Sequence, residues 1–550
     1  MISAIGHKLI WSWRRRRVLG IALLAVILNL LAINTFDAPS HATSGLQYQS
    51  YYWSAVSASS FTSGHPPLTA AIDGNPIRFE TITKDDLGYP LVLSTVVRLG
   101  IIDFDDDTRT RLVTGFPNIE ANREYMFEDL RLKTQNLNRG MPMLLGLGVL
   151  AAMWSGLIPA AARAFARSWG LIVFATLQLL PHMAPSIVLK TLHSHGLVFS
   201  AWIVGMMAVA GVFAAAAAFA NRTNESLISL RWYFALGLLA GWSFGFVETI
   251  RRSTGLIFSL VTWLTLGLIA VSLLRGQRDR TVIERLRAVL PLALLGAALL
   301  MGMFAFDGFI SFILDYRDTR TAFPRPPIAS IGHPIYFTLL VAIGFQENSL
   351  GVRGEAEVVA LIKSSAPGDP AQDSQAFIDE ARRVFFSYAS DHPSELVQVA
   401  YANFGQTARS SFTELGVTFD PNVDFVPLFL ILLGLMALIR LAFIELRTTD
   451  ETFATSFVSQ LLVGSAIALG GASLMAGITT TPAEFDLVSA IVFACCTLLA
   501  MRLRSVVAGA VPLDETTAFL TPTSNDLVTD EVPARSIRSG QQGNAGDADE

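Results

Sequence analysis

The chain has 550 residues with 40 Lys and Arg against 45 Asp and Glu, a net charge of −5, so it lacks the basic footprint of a nucleic-acid binder. Hydrophobic residues make up 52% and charged residues 15%, well under the about 25% of soluble domains, and the mean hydropathy is +0.48. A string of soluble domains is thereby excluded, and an all-α polytopic membrane protein is expected.

Residues 1–17 hold Trp11-Ser-Trp-Arg-Arg-Arg-Arg17, and an apolar run over 18–35 follows. Five cations before a first span place the N-terminus in the cytoplasm. The alternative is a cleaved signal peptide ending near Ser40-His-Ala42, but the run is long for a signal core. Residues 36–138 form a first exported region. Six spans follow within 139–314, at roughly 141–162, 169–189, 196–219, 230–248, 255–274 and 288–314 by length and hydropathy. A second exported region covers 315–425. Three more spans lie within 426–503, at roughly 426–446, 457–477 and 484–502. The tail 504–550 is rich in Asp, Gly, Ser and Gln and reads as disordered and cytoplasmic. The total is about ten spans, with both termini inside and a bacterial inner (plasma) membrane as the expected location.

The cations test this topology. Arg275, Arg278, Arg280, Arg285 and Arg287 fall inside, as do Arg163, Arg167, Arg222, Arg231, Arg447, Arg502 and Arg504. Glu248-Thr-Ile-Arg-Arg252 and Lys190 fall outside. Either the middle spans are miscounted, or these cations have a task.

Each exported region carries a short apolar segment. In the second it is 335–345, about half the roughly 20 residues that a span needs. In the first it is the amphipathic stretch opening at Gly88-Tyr-Pro. Both read as helices lying along the membrane surface or packed on top of the spans, and as packing together to roof an outward-facing cavity.

Candidate chemistry begins with carboxylates. Asp37 follows the first span, Asp85 and Asp86 precede Gly88, and Asp307 sits in an apolar run where a carboxylate marks a polar site. Arg251 and Arg252 are suited to an anionic headgroup through paired hydrogen bonds; the plain alternative is interfacial snorkelling. His65, His333 and His392 each precede proline, which either starts a helix or offers imidazoles to a phosphate or a proton. Tyr48, Tyr51, Tyr52 and Trp53 read as an interfacial belt. Cys495 and Cys496, the only cysteines, are adjacent and do not face each other on a helix. No CxxC, HExxH, GxGxxG or P-loop pattern is present.

Asp37 after the first span, Gly64-His-Pro-Pro-Leu68 and the Gly-Tyr-Pro stretch together resemble the C-type glycosyltransferases, and His-Pro-Pro-Leu is similar to a motif of their protein O-mannosyltransferase branch. The resemblance covers about a quarter of the chain. It implies transfer of a sugar from a polyprenyl-phosphate carrier to an exported acceptor. A carboxylate (Asp37, Asp85 or Asp86) would act as base or as contact to a divalent cation, the one candidate cofactor. Arg251 and Arg252, with His65, His333 and Asp307, would bind substrate. The partners implied are membrane lipid and a lipid-linked sugar donor, with no nucleic acid. One departure is that Asp37 opens Asp-Ala-Pro where the family has an Asp-Glu pair.

Three rivals stand beside this. A non-catalytic scaffold suits the Pro/Asp-rich stretch near 366–375 and the tail. A transporter or flippase needs broken spans, hinted at by Pro181, Pro185 and Pro291. An O-antigen-type ligase or polymerase also has a large late exported loop.

Overall fold

The computed structural model describes residues 13–35, 69–72, 75–78, 88–102, 127–155, 158–183, 197–221, 230–276, 281–320, 335–370, 374–420, 425–478 and 483–510. The described chain is helical apart from one hairpin, β1 (Thr69–Ile72) paired antiparallel with β2 (Asn75–Arg78) in the register Thr69 to Arg78.

Helices occupy all the expected span positions: α1 (Trp13–Thr35), α3 (Phe127–Trp154), α4 (Arg163–Met183), α5 (Val198–Ala220), α6 (Leu230–Ile250), α7 (Arg252–Arg275), α8 (Val282–Arg320), α13 (Phe425–Thr448), α14 (Phe457–Ile478) and α15 (Ala483–Ala510). Seven of them, α5 to α8 and α13 to α15, are long and apolar enough to cross a membrane. Within α1 the apolar stretch Arg17–Ala32 is shorter than that measure. The third helix starts well before residue 139 and ends at Trp154, and the last runs on past 503. Between the spans lie α2 (Gly88–Arg98) and four helices of the second region: α9 (Ile335–Gly344), α10 (Gly354–Ser365), α11 (Gln375–Asp391) and α12 (Pro393–Glu414).

Lipid is as apolar as leucine, so membrane helices associate through close packing of small residues rather than through hydrophobic drive. Helix α6 shows this at Gly237, Gly241 and Gly245. A Cβ at Gly241 would stand 2.0 Å from the Leu299 carbonyl oxygen of α8, and one at Gly237 would stand 2.6 Å from that of Leu295. Gly245 faces Phe306 further along α8, so α6 and α8 run parallel in near backbone contact. Large side chains fill the centre of the bundle: Trp169, Trp202, Phe213, Phe258 and Phe457 are buried in one cluster.

Contacts between helix ends sort the bundle into two ends. At one, Arg504 near the end of α15 pairs with Glu445 of α13, and Asn221 after α5 donates to the Thr455 carbonyl (3.2 Å). At the other, the starts of α5, α7 and α15 meet the end of α6.

Helices α9 to α12 form a layer at this second end. Phe337, Leu340 and Ile343 of α9 are buried against Val358 and Ile362 of α10, Phe377 and Ala381 of α11, and Val399 of α12. Asn403 of α12 donates to the Ala342 carbonyl (2.9 Å), and Gln346 donates to Asn403 Oδ1 (2.8 Å). The layer meets the bundle where Ser410 donates to Glu484 (2.5 Å). Of the two placements expected for 335–345, the helix takes the one packed on the bundle, within a layer at its end. Its apolar side chains form the core of the layer, which is why ten apolar residues occur there without spanning. The Gly88 segment is also a helix, but it packs chiefly on α6, so the two short segments are buried in separate places.

Candidate functional site

One extended residue, Arg251 (φ −157°, ψ 114°), separates α6 from α7. Such a tight helical hairpin needs backbone to approach backbone just past the turn. Gly255 permits this, since a Cβ there would stand 2.8 Å from Glu248 Cβ. The turn points Arg251 and the first residues of α7 toward the first turn of α15.

There they meet Asp486, whose side chain is fully buried. It accepts hydrogen bonds from Trp202 Nε1 of α5 (2.8 Å), Ser253 Oγ (2.5 Å) and Thr254 Oγ1, and Arg251 Nε stands 3.5 Å from its Oδ2. A carboxylate offers about four acceptor sites, and these donors occupy them. Three helices, α5, α7 and α15, begin within a few residues of this group. Their N-terminal ends carry partial positive charge, which complements a side chain that only accepts hydrogen bonds. Rings close the site against solvent. Trp202 packs edge-on against Phe258 (4.8 Å between centroids) and stacks on Phe493 (6.3 Å). Gly205 leaves room for Phe258, whose ring atoms lie within 2.3 Å of where a Cβ would sit.

The arrangement holds the α6–α7 hairpin, α5 and α15 together at one end of the bundle. Asp486 is saturated with donors, so it acts as an anchor and is not available as a base. Arg251 (side chain 12% exposed) is drawn into that anchor, whereas Arg252, at the first helical position of α7, is exposed. The two arginines thus differ in role.

The other expected residues divide as follows. Asp37, His65, Asp85, Asp86 and His333 lie outside the described residues, as does the aromatic group at 48–53. Asp307 is half-buried on α8 beside Phe306, which packs against Trp242 and Phe246 of α6. His392 caps the start of α12 with Pro393 at the first position, so the helix-start reading holds there. One contact joins the two exported candidates. Gly88 is pressed onto the end of α6, where a Cβ would lie 2.6 Å from the Ile250 side chain and 2.8 Å from Thr249 Oγ1. Gly88 thus sits one residue from Arg251, and Asp85 and Asp86 precede it in the sequence. Among the described residues no group of three or more His, Cys, Asp or Glu is placed to hold a metal ion.

Sequence reasoning missed Asp486 together with Trp202, Ser253 and Thr254. The available signal was a carboxylate within the first turn of an apolar span. Its partners lie more than 230 residues away in the chain, and no local pattern names them. Comparison of the chain with protein-family models, with curated proteins and with solved structures finds no match.

Proposed function

We propose that this chain is a membrane glycosyltransferase that moves a sugar from a polyprenyl-phosphate carrier to an exported acceptor. In this reading it sits in the bacterial inner membrane with ten spans and both termini in the cytoplasm. Its exported end carries Arg251, Arg252, α2 and the α9–α12 layer. The observation that supports it is the seating of Gly88 on Thr249 and Ile250. That contact brings Gly88, which follows Asp85 and Asp86 in the sequence, to the helix end bearing two cations.

In the proposed reaction a carboxylate takes the proton of the acceptor hydroxyl. The hydroxyl oxygen bonds to the anomeric carbon as the bond from that carbon to the phosphate oxygen breaks. The electron pair leaves with the polyprenyl phosphate, and the exposed Arg252 stabilises the charge that develops there. Arg251, anchored by Asp486, fixes the turn from which Arg252 projects.

The test is transfer of a labelled sugar from polyprenyl phosphate by the purified chain in nanodiscs. Asp37→Asn, Asp85→Asn and Asp86→Asn are compared with the parent. At least one should lose about 100-fold in rate with unchanged thermal stability. Equal rates in all three would remove the assigned base.

A second reading, a non-catalytic scaffold, is supported by the α9–α12 layer. It has its own core and exposes Phe386, Val397 and Tyr401. Absence of carrier turnover, with a partner retained on this layer, would favour it.

A further inference from the structure

A second polar site lies inside the bundle, apart from Asp486. Arg139 of α3 is only 7% exposed, and its Nε is buried without a hydrogen-bond partner. None of the ion pairs formed among the described residues includes it. Its surroundings are built rather than incidental. Gly140 admits Leu30 of α1, which lies 3.0 Å from where a Cβ would be. One turn along α3 from Arg139, on the same face, the Met143 carbonyl accepts from Gln178 Nε2 of α4 (3.2 Å), and Gln178 Oε1 accepts from Asn29 Nδ2 of α1 (3.0 Å). Pro142 stands within the helix and interrupts its hydrogen-bond ladder at this level. Three helices therefore bring amides together about one turn from the residue that carries this guanidinium.

Arginine stays charged in proteins. A buried charge is sustained only by a partner that satisfies it, and among the described residues none is supplied to the Arg139 Nε. The partner then comes from outside the chain and is an anion. The planar fork of a guanidinium matches two oxygens of a phosphate. Depth points the same way. Gly146 of α3 abuts Leu177 of α4, and Trp169, earlier on α4, bonds to Thr497, late on α15 (3.1 Å). The start of α3 therefore lies toward the end of the bundle where Asp486 sits, near a helix end rather than at the middle of the bundle.

We propose that Arg139 is the anion-binding residue of a site between α1, α3 and α4 that takes a phosphate group. This inference does not rest on the transferase reading.

The test uses the full chain in dodecyl maltoside micelles, which carry no phosphate, in a phosphate-free buffer, with phosphatidylglycerol or inorganic phosphate added. The parent should melt a few degrees higher with one of the two probes. A rise with phosphatidylglycerol alone identifies a lipid headgroup, and a rise with inorganic phosphate identifies a soluble source. Arg139→Met should show neither rise. Without either probe it should match or exceed the parent in stability, because an unpaired buried charge has gone. Arg139→Lys, which keeps the charge and lacks the fork, should bind the effective probe about tenfold more weakly; it also serves if Arg139→Met does not fold. No rise in the parent with either probe, or an equal rise in both variants, overturns the site.

Discussion

Arg251 Nε stands 3.5 Å from Asp486 Oδ2, so the turn between α6 and α7 is tied to the first turn of α15 by an ion pair at one end of the bundle. At the other end of α15, Arg504 pairs with Glu445 of α13. Asp486 and Arg504 lie 18 residues apart in a continuous helix, which at 1.5 Å per residue is about 27 Å. That is close to the roughly 30 Å of a hydrocarbon core. Helix α15 is thus clamped by charge at both of its membrane levels.

Breaking the first clamp from one side should cost more than removing it. Arg251→Met leaves a buried carboxylate without its counter-charge, and about 3–5 kcal/mol is the usual loss for such a change. Asp486→Leu likewise removes the carboxylate that Arg251 faces and frees the Ser253 and Thr254 hydroxyls. The double variant removes both charges and should recover part of the loss. Thermal unfolding in one detergent measures all three. Strict additivity of the two single losses would show that the residues do not interact.

The glycine face of α6 makes a sharper steric prediction. At Gly241 a Cβ would meet the Leu299 carbonyl oxygen at 2.0 Å, and that oxygen belongs to backbone that cannot rotate away. Gly241→Ala should therefore part α6 from α8 and cost about 1–3 kcal/mol. Gly267→Ala, with nothing within 4 Å of its Cβ position, is the control and should be neutral or slightly stabilising. Equal melting temperatures for the two variants would mean that α6 and α8 are not in backbone contact.

Acid should loosen the α9–α12 layer at a defined place. Hydrogen bonds from Ser349, first through its hydroxyl, hold the Glu395 carboxyl below its ordinary range, and burial only partly opposes them. A carboxylate whose folded pKa is depressed adds stability above its unfolded value of about 4.3. That stability disappears as pH falls through the folded value. Amide protection over 345–353, taken relative to the intrinsic exchange rate at each pH, should fall as the pH drops below about 4.3. In Glu395→Gln protection should be lower at neutral pH and flat across this range. A Glu395→Gln profile as steep as the parent's would assign the acid response to another group.

Helix positions were legible because apolar runs of span length have one stable form in lipid, a helix that satisfies its own backbone. Two features were not decided by the sequence, for physical reasons. The run 335–345 is equally apolar whether it lies on a membrane or fills a small helical core. Composition does not distinguish these, and the amphipathic α10 to α12 that cover it were the clue. Asp486 was passed over because an acid in the first turn of a helix is ordinary. Its burial follows from the tertiary meeting of α5, α7 and α15. By contrast, the spacing of Gly237, Gly241 and Gly245 was readable as a close-packing face and was not taken up. Ser253, next to the arginine pair, is likewise buried on Asp486, which nothing in its local sequence announces.

Topology can be tested at positions that the structure leaves open. Val397 on α12 is 69% exposed, on the layer next to the start of α15. Gly276, at the end of α7, is exposed, and a Cβ there would approach no atom closer than 3.6 Å. The two lie at opposite ends of the bundle, because α7 starts beside Asp486 and runs away from it. Arg275 and the cations of the following loop are at the Gly276 end, and an excess of cations marks the cytoplasmic face. In a background where Cys495 and Cys496 are replaced by Ala, Val397→Cys should react with an impermeant thiol reagent on intact cells. Gly276→Cys should react only once the membrane is opened. The reverse pattern would put Arg251 and Arg252 in the cytoplasm, where they would obey the charge rule. Their placement opposite the other cations would then no longer support a phosphate-bearing substrate at the outer face.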